Sequence, residues 1–208
     1  MVSHTLLTSS VPCTNSCTGE IDVIESVNQG NDGNQMTLHT SSGCKMDVKR
    51  KETGKALVKN CDSNSGDGSG CGVKGPKDTF GAALNANGGG TYAMEWREAG
   101  IRMWFFGRNE LPADLPSDVS NTTVNPDPST WGEAMADFPN TDCDMASHFK
   151  NQSIIANIDL CGDWAGSTSV YSDEDQCPGT CASRVAGAGS NFDNAYWEFK
   201  SFRVYSAS

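Results

Sequence analysis

Apolar and polar residues in this chain alternate in short runs with a period of two, and the 3.6-residue spacing of an amphipathic helix is scarce. Residues 91–96 (TYAMEW) and 101–106 (IRMWFF) are two such runs joined by REAG, which predicts a β-hairpin. Residues 36–40 and 153–160 (SIIANIDL) read as further strands. The last run, residues 196–205 (YWEFKSFRVY), alternates up to Lys200 and then changes parity. A bulge near Ser201 would bring Trp197, Phe199, Phe202 and Val204 to one face, because one extra residue resets the alternation. Short strands with Gly- and Pro-rich connections predict an all-β fold, a β-sandwich or jelly roll, built as one domain.

Residues 19–26, GEIDVIES, break the pattern in an informative way. In a regular strand Glu20 and Asp22 share a face and Glu25 takes the other. A bulge around Val23–Ile24 would turn Glu25 onto the face of the first two carboxylates. Like charges held that close push at least one pKa upward, a cost tolerated where chemistry uses it. Glycoside hydrolysis is such a chemistry, with one carboxylate as nucleophile and a second, protonated, as general acid. Four strand steps span about 13 Å, whereas retaining glycosidases hold their carboxyl groups about 5–5.5 Å apart. The reading therefore requires side chains leaning together over a concave sheet. An exposed edge strand carrying acidic gatekeepers has the same spacing, and the spacing alone leaves both open.

Composition removes other classes. With 26 acidic against 15 basic residues and a net charge of −11, the chain lacks the basic surface that nucleic acid requires. The run KMDVKRKETGK, residues 45–55, reads as a solvated loop or edge strand. No apolar stretch approaches the roughly 20 residues of a membrane span, and MVSHTLLTSSVPC does not read as a signal peptide. Nine cysteines in Gly-, Ser- and Asp-rich contexts, with sequons at Asn121 and Asn151, point to disulfides and an extracellular compartment. An odd count leaves at least one cysteine outside intrachain pairs.

Zinc is the rival use of Cys13-x3-Cys17 and Cys177-x3-Cys181, and the three scattered histidines disfavour it. A local Cys177–Cys181 disulfide is permitted, while connectivity stays open. Residues 62–70 (DSNSGDGSG) miss the EF-hand pattern at Asp67 and Val73, so they read as a loop stapled near Cys61 and Cys71. NANGGG, residues 85–90, reads as a turn. No metal site is expected.

GEIDVIE resembles the E-[ILV]-D-x-x-E bulge motif of glycoside hydrolase family 16. The blocks VNQGNDGNQMTLHTSSGC, GCGV, GGGTYAMEW, IRMWFF, LPADLPS, CDMASHFKNQSIIANIDLCGDWAG, CPGTC and AYWEFKSFRVY resemble the fungal laminarinase-like endo-β-1,3(4)-glucanases, in that family's order. The resemblance implies a concanavalin A-like jelly roll of two antiparallel sheets and a retaining endo-glucanase acting on β-1,3 or mixed β-1,3/1,4 glucan. It implies Glu20 as nucleophile, Glu25 as general acid/base and Asp22 as the carboxylate assisting between them. His39 and Trp164 would bind substrate, Trp164 by stacking on a pyranose face. A structural histidine and a core tryptophan are the plain alternatives for these two. The enzyme implied is a secreted monomer without cofactor.

The bulge favours the laminarinase side over transglycosylases with E-x-D-x-E, and Ser26 departs from the glycine common in related enzymes. Residues 1–18 do not resemble the family's strands, which gives 1–18 as a non-family segment and 19–208 as the C-terminal part of an N-terminally truncated domain. On that reading the eighth family cysteine lies upstream, with Cys13 or Cys17 as its remnant, and the isolated chain is expected to be poorly stable. The alternatives kept open are a catalytically silent or glucan-binding remnant, and a wall transglycosylase.

Overall fold

The computed structural model describes residues 2–9 (backbone), 19–28, 33–116, 125–187 and 189–206. The alternating runs become strands: β1 Val2–Ser9, β2 Glu20–Val27, β3 Gln35–His39, β4 Lys55–Ala56, β5 Cys71–Lys74, β6 Gly90–Arg97, β7 Gly100–Gly107, β8 Ala136–Pro139 and β9 Ser153–Leu160. They form two antiparallel sheets, one ordered β4-β5-β3-β2-β1-β9 and the other β6-β7-β8. This is the β-sandwich that the period-two pattern predicted.

The core lies between the sheets. Ile21, Met36, Leu38 and Val73 project from the larger sheet, and Ile101, Met103, Ala136 and Phe138 from the smaller, all buried in one cluster. Alternation requires this, since every second side chain of a strand faces the same way. The Cys44–Cys143 disulfide ties the loop after β3 to the loop after β8 across 99 residues. Among the described residues, no helix is long and apolar enough to cross a membrane.

The hairpin over β6 and β7 has Arg97 opposite Gly100, leaving Glu98 and Ala99 as its tip. The strands expected at 36–40 and 153–160 are β3 and β9. Lys55 and Ala56, at the end of the basic run, form the edge strand β4. The Cys61–Cys71 disulfide staples the acidic loop, as expected.

Three features differ from the sequence reading. VSHTLLTS, without clean alternation, is nevertheless the strand β1, paired antiparallel with both β2 and β9. Two neighbouring ladders recruit it where its own pattern does not.

Residues 196–205 form no strand. Trp197 packs this segment over β9 instead, its Nε1 donating to the Asn157 carbonyl at 3.0 Å and its ring meeting Phe80 edge-on and stacking on Phe199. Ring contacts and an indole bond hold the segment here, where the expected strand would need a backbone ladder.

The permitted Cys177–Cys181 bond is not the one made. Cys181 pairs with Cys161, and the Cys177 thiol donates to the Asp175 carbonyl at 3.5 Å. That also removes Cys181 as a zinc ligand. Cys13, Cys17 and Asn121 lie outside the described residues.

Candidate active site

The bulge expected in β2 is present and is registered against both neighbours. On the β3 side Asp22 faces Thr37 and Glu25 faces Gln35, so three steps of β2 oppose two of β3. On the β1 side Leu6 faces Ile24 and Leu7 faces Asp22, which passes over Val23. Val23 and Ile24 both sink into the core, and Glu25 turns onto the face of Glu20 and Asp22.

A bulge interrupts the ladder, and buried backbone groups at the interruption need other partners. Asn34, fully buried, supplies them. Its Oδ1 accepts from the Glu25 N–H and its Nδ2 donates to the Val23 carbonyl, each at 2.9 Å. Its own backbone N–H donates to Thr79 Oγ1 at 2.8 Å. One side chain thus clamps both sides of the kink and sets where Glu25 starts.

Burial pushes all three carboxyls up, and their mutual repulsion adds to it at Asp22 and Glu25. Asp22 is 1 % exposed and neither of its oxygens has a well-aligned hydrogen bond among the described residues, so desolvation holds it well above the usual carboxylate range, with Glu25 and Glu20 adding. Glu25 is raised to about 7 by burial and by Glu20, against an opposing pull from Lys74. Glu20 is half-buried, and burial, with the Asp159 carboxylate adding, raises it as well. Glu25 is therefore a carboxyl that keeps its proton toward neutrality, as a general acid must.

His39 faces Glu20 across the ladder. Its Nε2 lies 3.3 Å from Asp22 Oδ2, and its Nδ1 lies 3.4 Å from Ser63 Oγ. Burial lowers its pKa, so it is a neutral imidazole over most of the physiological range. The stapled loop sets this ring's position. At Gly70 (φ +67°) an added Cβ would come within 2.8 Å of His39 Nδ1 and 2.6 Å of the Leu38 carbonyl, so only glycine fits.

Trp164 lies in the short helix Gly162–Ala165, half-buried, and the Lys74 ammonium sits 6.0 Å from its ring centroid. The candidates Glu20, Asp22, Glu25 and His39 therefore share one sheet face, and Trp164 joins them through Lys74. One donor atom each from Asp22, Glu25 and His39 lie within 4.8 Å of one another, a spacing that admits a cation, although Lys74 already places positive charge beside Glu25.

Sequence reasoning did not single out Asn34, Ser63, Gly70 or Lys74. Asn34 stands immediately before the strand QMTLH, but nothing in its spacing shows that it reaches back to β2. Ser63 and Gly70 fall in the loop that was read only as a staple, and Lys74 gains meaning only once β5 is known to lie beside β3.

The family described as "XgeA-like, catalytic GH16 domain" matches residues 10–205. A probable glycosidase of Schizosaccharomyces pombe is 48% identical over 191 residues, covering 90% of this chain and 43% of that protein. The endo-1,3(4)-β-glucanase xgeA of Emericella nidulans is 37% identical over 195 residues, covering 90% of this chain and 29% of that one. The chain thus spans less than half the length of these relatives.

Among solved structures, laminarinase 16A from Phanerochaete chrysosporium, with β-glucans in its donor and acceptor sites, superposes with a TM-score of 0.83 at 41% identity. The match covers 94% of this chain and 65% of that one. An elongating family 16 β-1,3-glucosyltransferase gives a TM-score of 0.71 at 36% identity, covering 86% and 56%. The two-sheet architecture seen here is the jelly roll of these laminarinase structures.

Proposed function

The chain belongs to the XgeA-like catalytic domains of glycoside hydrolase family 16, and from that premise we propose that it is a retaining endo-1,3(4)-β-glucanase. Its substrate is β-1,3 or mixed β-1,3/1,4 glucan. The observation that carries the reading is the bulge that sets Glu20, Asp22 and Glu25 on one face, where burial and Glu20 favour the protonated form of Glu25.

Glu20 attacks the anomeric carbon as the glycosidic C–O bond breaks, and Glu25 gives its proton to the departing oxygen. Glu25, now ionised, takes a proton from water, which attacks the same carbon and releases Glu20. Asp22 lies between them, and its repulsion helps keep one proton shared within the cluster. His39 borders the cleft as a neutral hydrogen-bonding group, and Trp164 offers a ring face to a sugar. No step requires a cofactor. The three disulfides among the described residues support an oxidising, extracellular setting, and a monomer is sufficient for this chemistry.

The test is reducing-sugar release from laminarin. Glu25→Gln is expected to lower turnover by about 10²–10⁴-fold, and Glu20→Gln by at least as much. Equal turnover in Glu20→Gln and wild type would sink the assignment. Laminarin binding without turnover in any form would leave a glucan-binding module. Likeness to the elongating glucosyltransferase supports a second reading, transfer to a glucan acceptor instead of water. Products longer than the substrate in the presence of acceptor oligosaccharides would mark it.

A further inference from the structure

Lys74 closes β5 beside the carboxylate face. Gln35 of β3 stands opposite Glu25 on one side and opposite Lys74 on the other. Directly opposed residues of antiparallel strands project from the same face, so Glu25, Gln35 and Lys74 form one row across the sheet. Two strand spacings of about 4.8 Å separate the ends of that row, a distance that the lysine stem largely bridges.

The floor beside the row is low and tight. A Cβ at Gly72 would lie 3.1 Å from Gln35 Nε2 and 3.3 Å from Thr37 Oγ1. Lys74 rises from this floor, half-buried, and carries its ammonium to the ring of Trp164, which comes from outside the sheet. One cation therefore faces the Glu25 carboxyl and the aromatic ring at the margin of the site.

We propose that Lys74 is a positioning residue of this site: it holds the Trp164 ring beside Glu25 and directs its positive charge at that carboxyl. The kinetic part of the proposal rests on the glucanase reading, whereas the contact itself does not. The reaction asks Glu25 to give a proton in one step and to take one in the next. Burial and Glu20 both favour its protonated form, and Lys74 opposes them. The groups that face Glu25 among the described residues are Glu20 and Asp22 on β2, His39 and Gln35 on β3 and Lys74 on β5, with the exposed Lys55 of β4 opposite Lys74. Glu20 and Asp22 are acidic, Gln35 is neutral and burial disfavours the charged form of His39, which leaves Lys74 as the counterweight.

The experiment compares Lys74→Met, which keeps an apolar stem, with Lys74→Arg, which keeps the charge. In Lys74→Met the titration of Glu25, followed by carboxyl ¹³C NMR, is expected to move up by as much as about one unit. The basic limb of kcat/KM on laminarin moves with it, and KM rises about two- to five-fold as the ring loses its cation. Lys74→Arg restores the titration and most of the KM. A Glu25 titration unchanged in Lys74→Met overturns the proposal, whatever happens to thermal stability. The NMR arm reads the same way in a chain that turns over no glucan, so failure of the glucanase reading is seen separately.

Discussion

In β2 and β3 every apolar residue flanking the carboxylates is buried, with Ile21, Met36 and Leu38 at 0 % exposure, while β9 and the segment after it turn residues of the same kind toward water. Ile154 and Leu160 are about half exposed, Tyr196 is 62 % exposed and Val204 is 83 % exposed. Both regions alternate with the same period in sequence. The first has a second sheet lying over it, and β9 is the edge of the six-stranded sheet. Alternation states which residues share a face, and burial additionally needs a layer to cover that face. The comparison also explains where three acidic groups are tolerated. They sit on the strand whose apolar neighbours are buried beneath the second sheet.

The largest effect expected on stability comes from breaking the firm side. Asn34→Ala leaves the Glu25 N–H and the Val23 carbonyl buried and unpaired, at about 1–3 kcal/mol per group. Denaturant unfolding should register a loss of about 2–4 kcal/mol. A loss under half a kcal/mol would show that the clamp is not what holds the bulge. Next is the staple. Removing the Cys61–Cys71 disulfide through a double serine substitution should cost about 2–3 kcal/mol and loosen His39, visible as broadened imidazole resonances.

The third effect is a pH dependence. Glu25 titrates near 7 when folded and, like other buried acids here, lower when unfolded. Between those values the folded chain binds more protons at Glu25, so the contribution of this group to stability rises as pH falls from about 8 toward 5, while His39, lowered by burial, works against it at the acid end. The gain should be about 1–3 kcal/mol and should shrink in Glu25→Gln. A melting temperature whose pH dependence over this range is the same in wild type and Glu25→Gln would contradict the buried carboxylate cluster. The smallest effect belongs to the other region. Val204→Ser, at a position 83 % exposed, should change stability by no more than about 0.5 kcal/mol.

Legibility follows the range of the interaction. The bulge could be read from the spacing of Glu20, Asp22 and Glu25 because a strand's side-chain period is local and one extra residue inverts it. The hairpin of β6 and β7 and the staple between Cys61 and Cys71 were legible for the same reason, being short-range. β1 was not, because VSHTLLTS becomes a strand only through two partners distant in sequence. The run at 196–205 failed in the opposite direction, having the pattern of a strand and no ladder.

By itself, the sequence determined the β architecture, the bulge and the face on which three carboxylates meet, since each follows from a two-residue period and the one residue that disturbs it. Only the tertiary structure decided that Asn34 clamps the bulge, that a disulfide loop seats His39, and that Lys74 stands in the same row as Glu25. Those are contacts across strands whose order no local pattern encodes, because register and neighbour are chosen by the whole core at once.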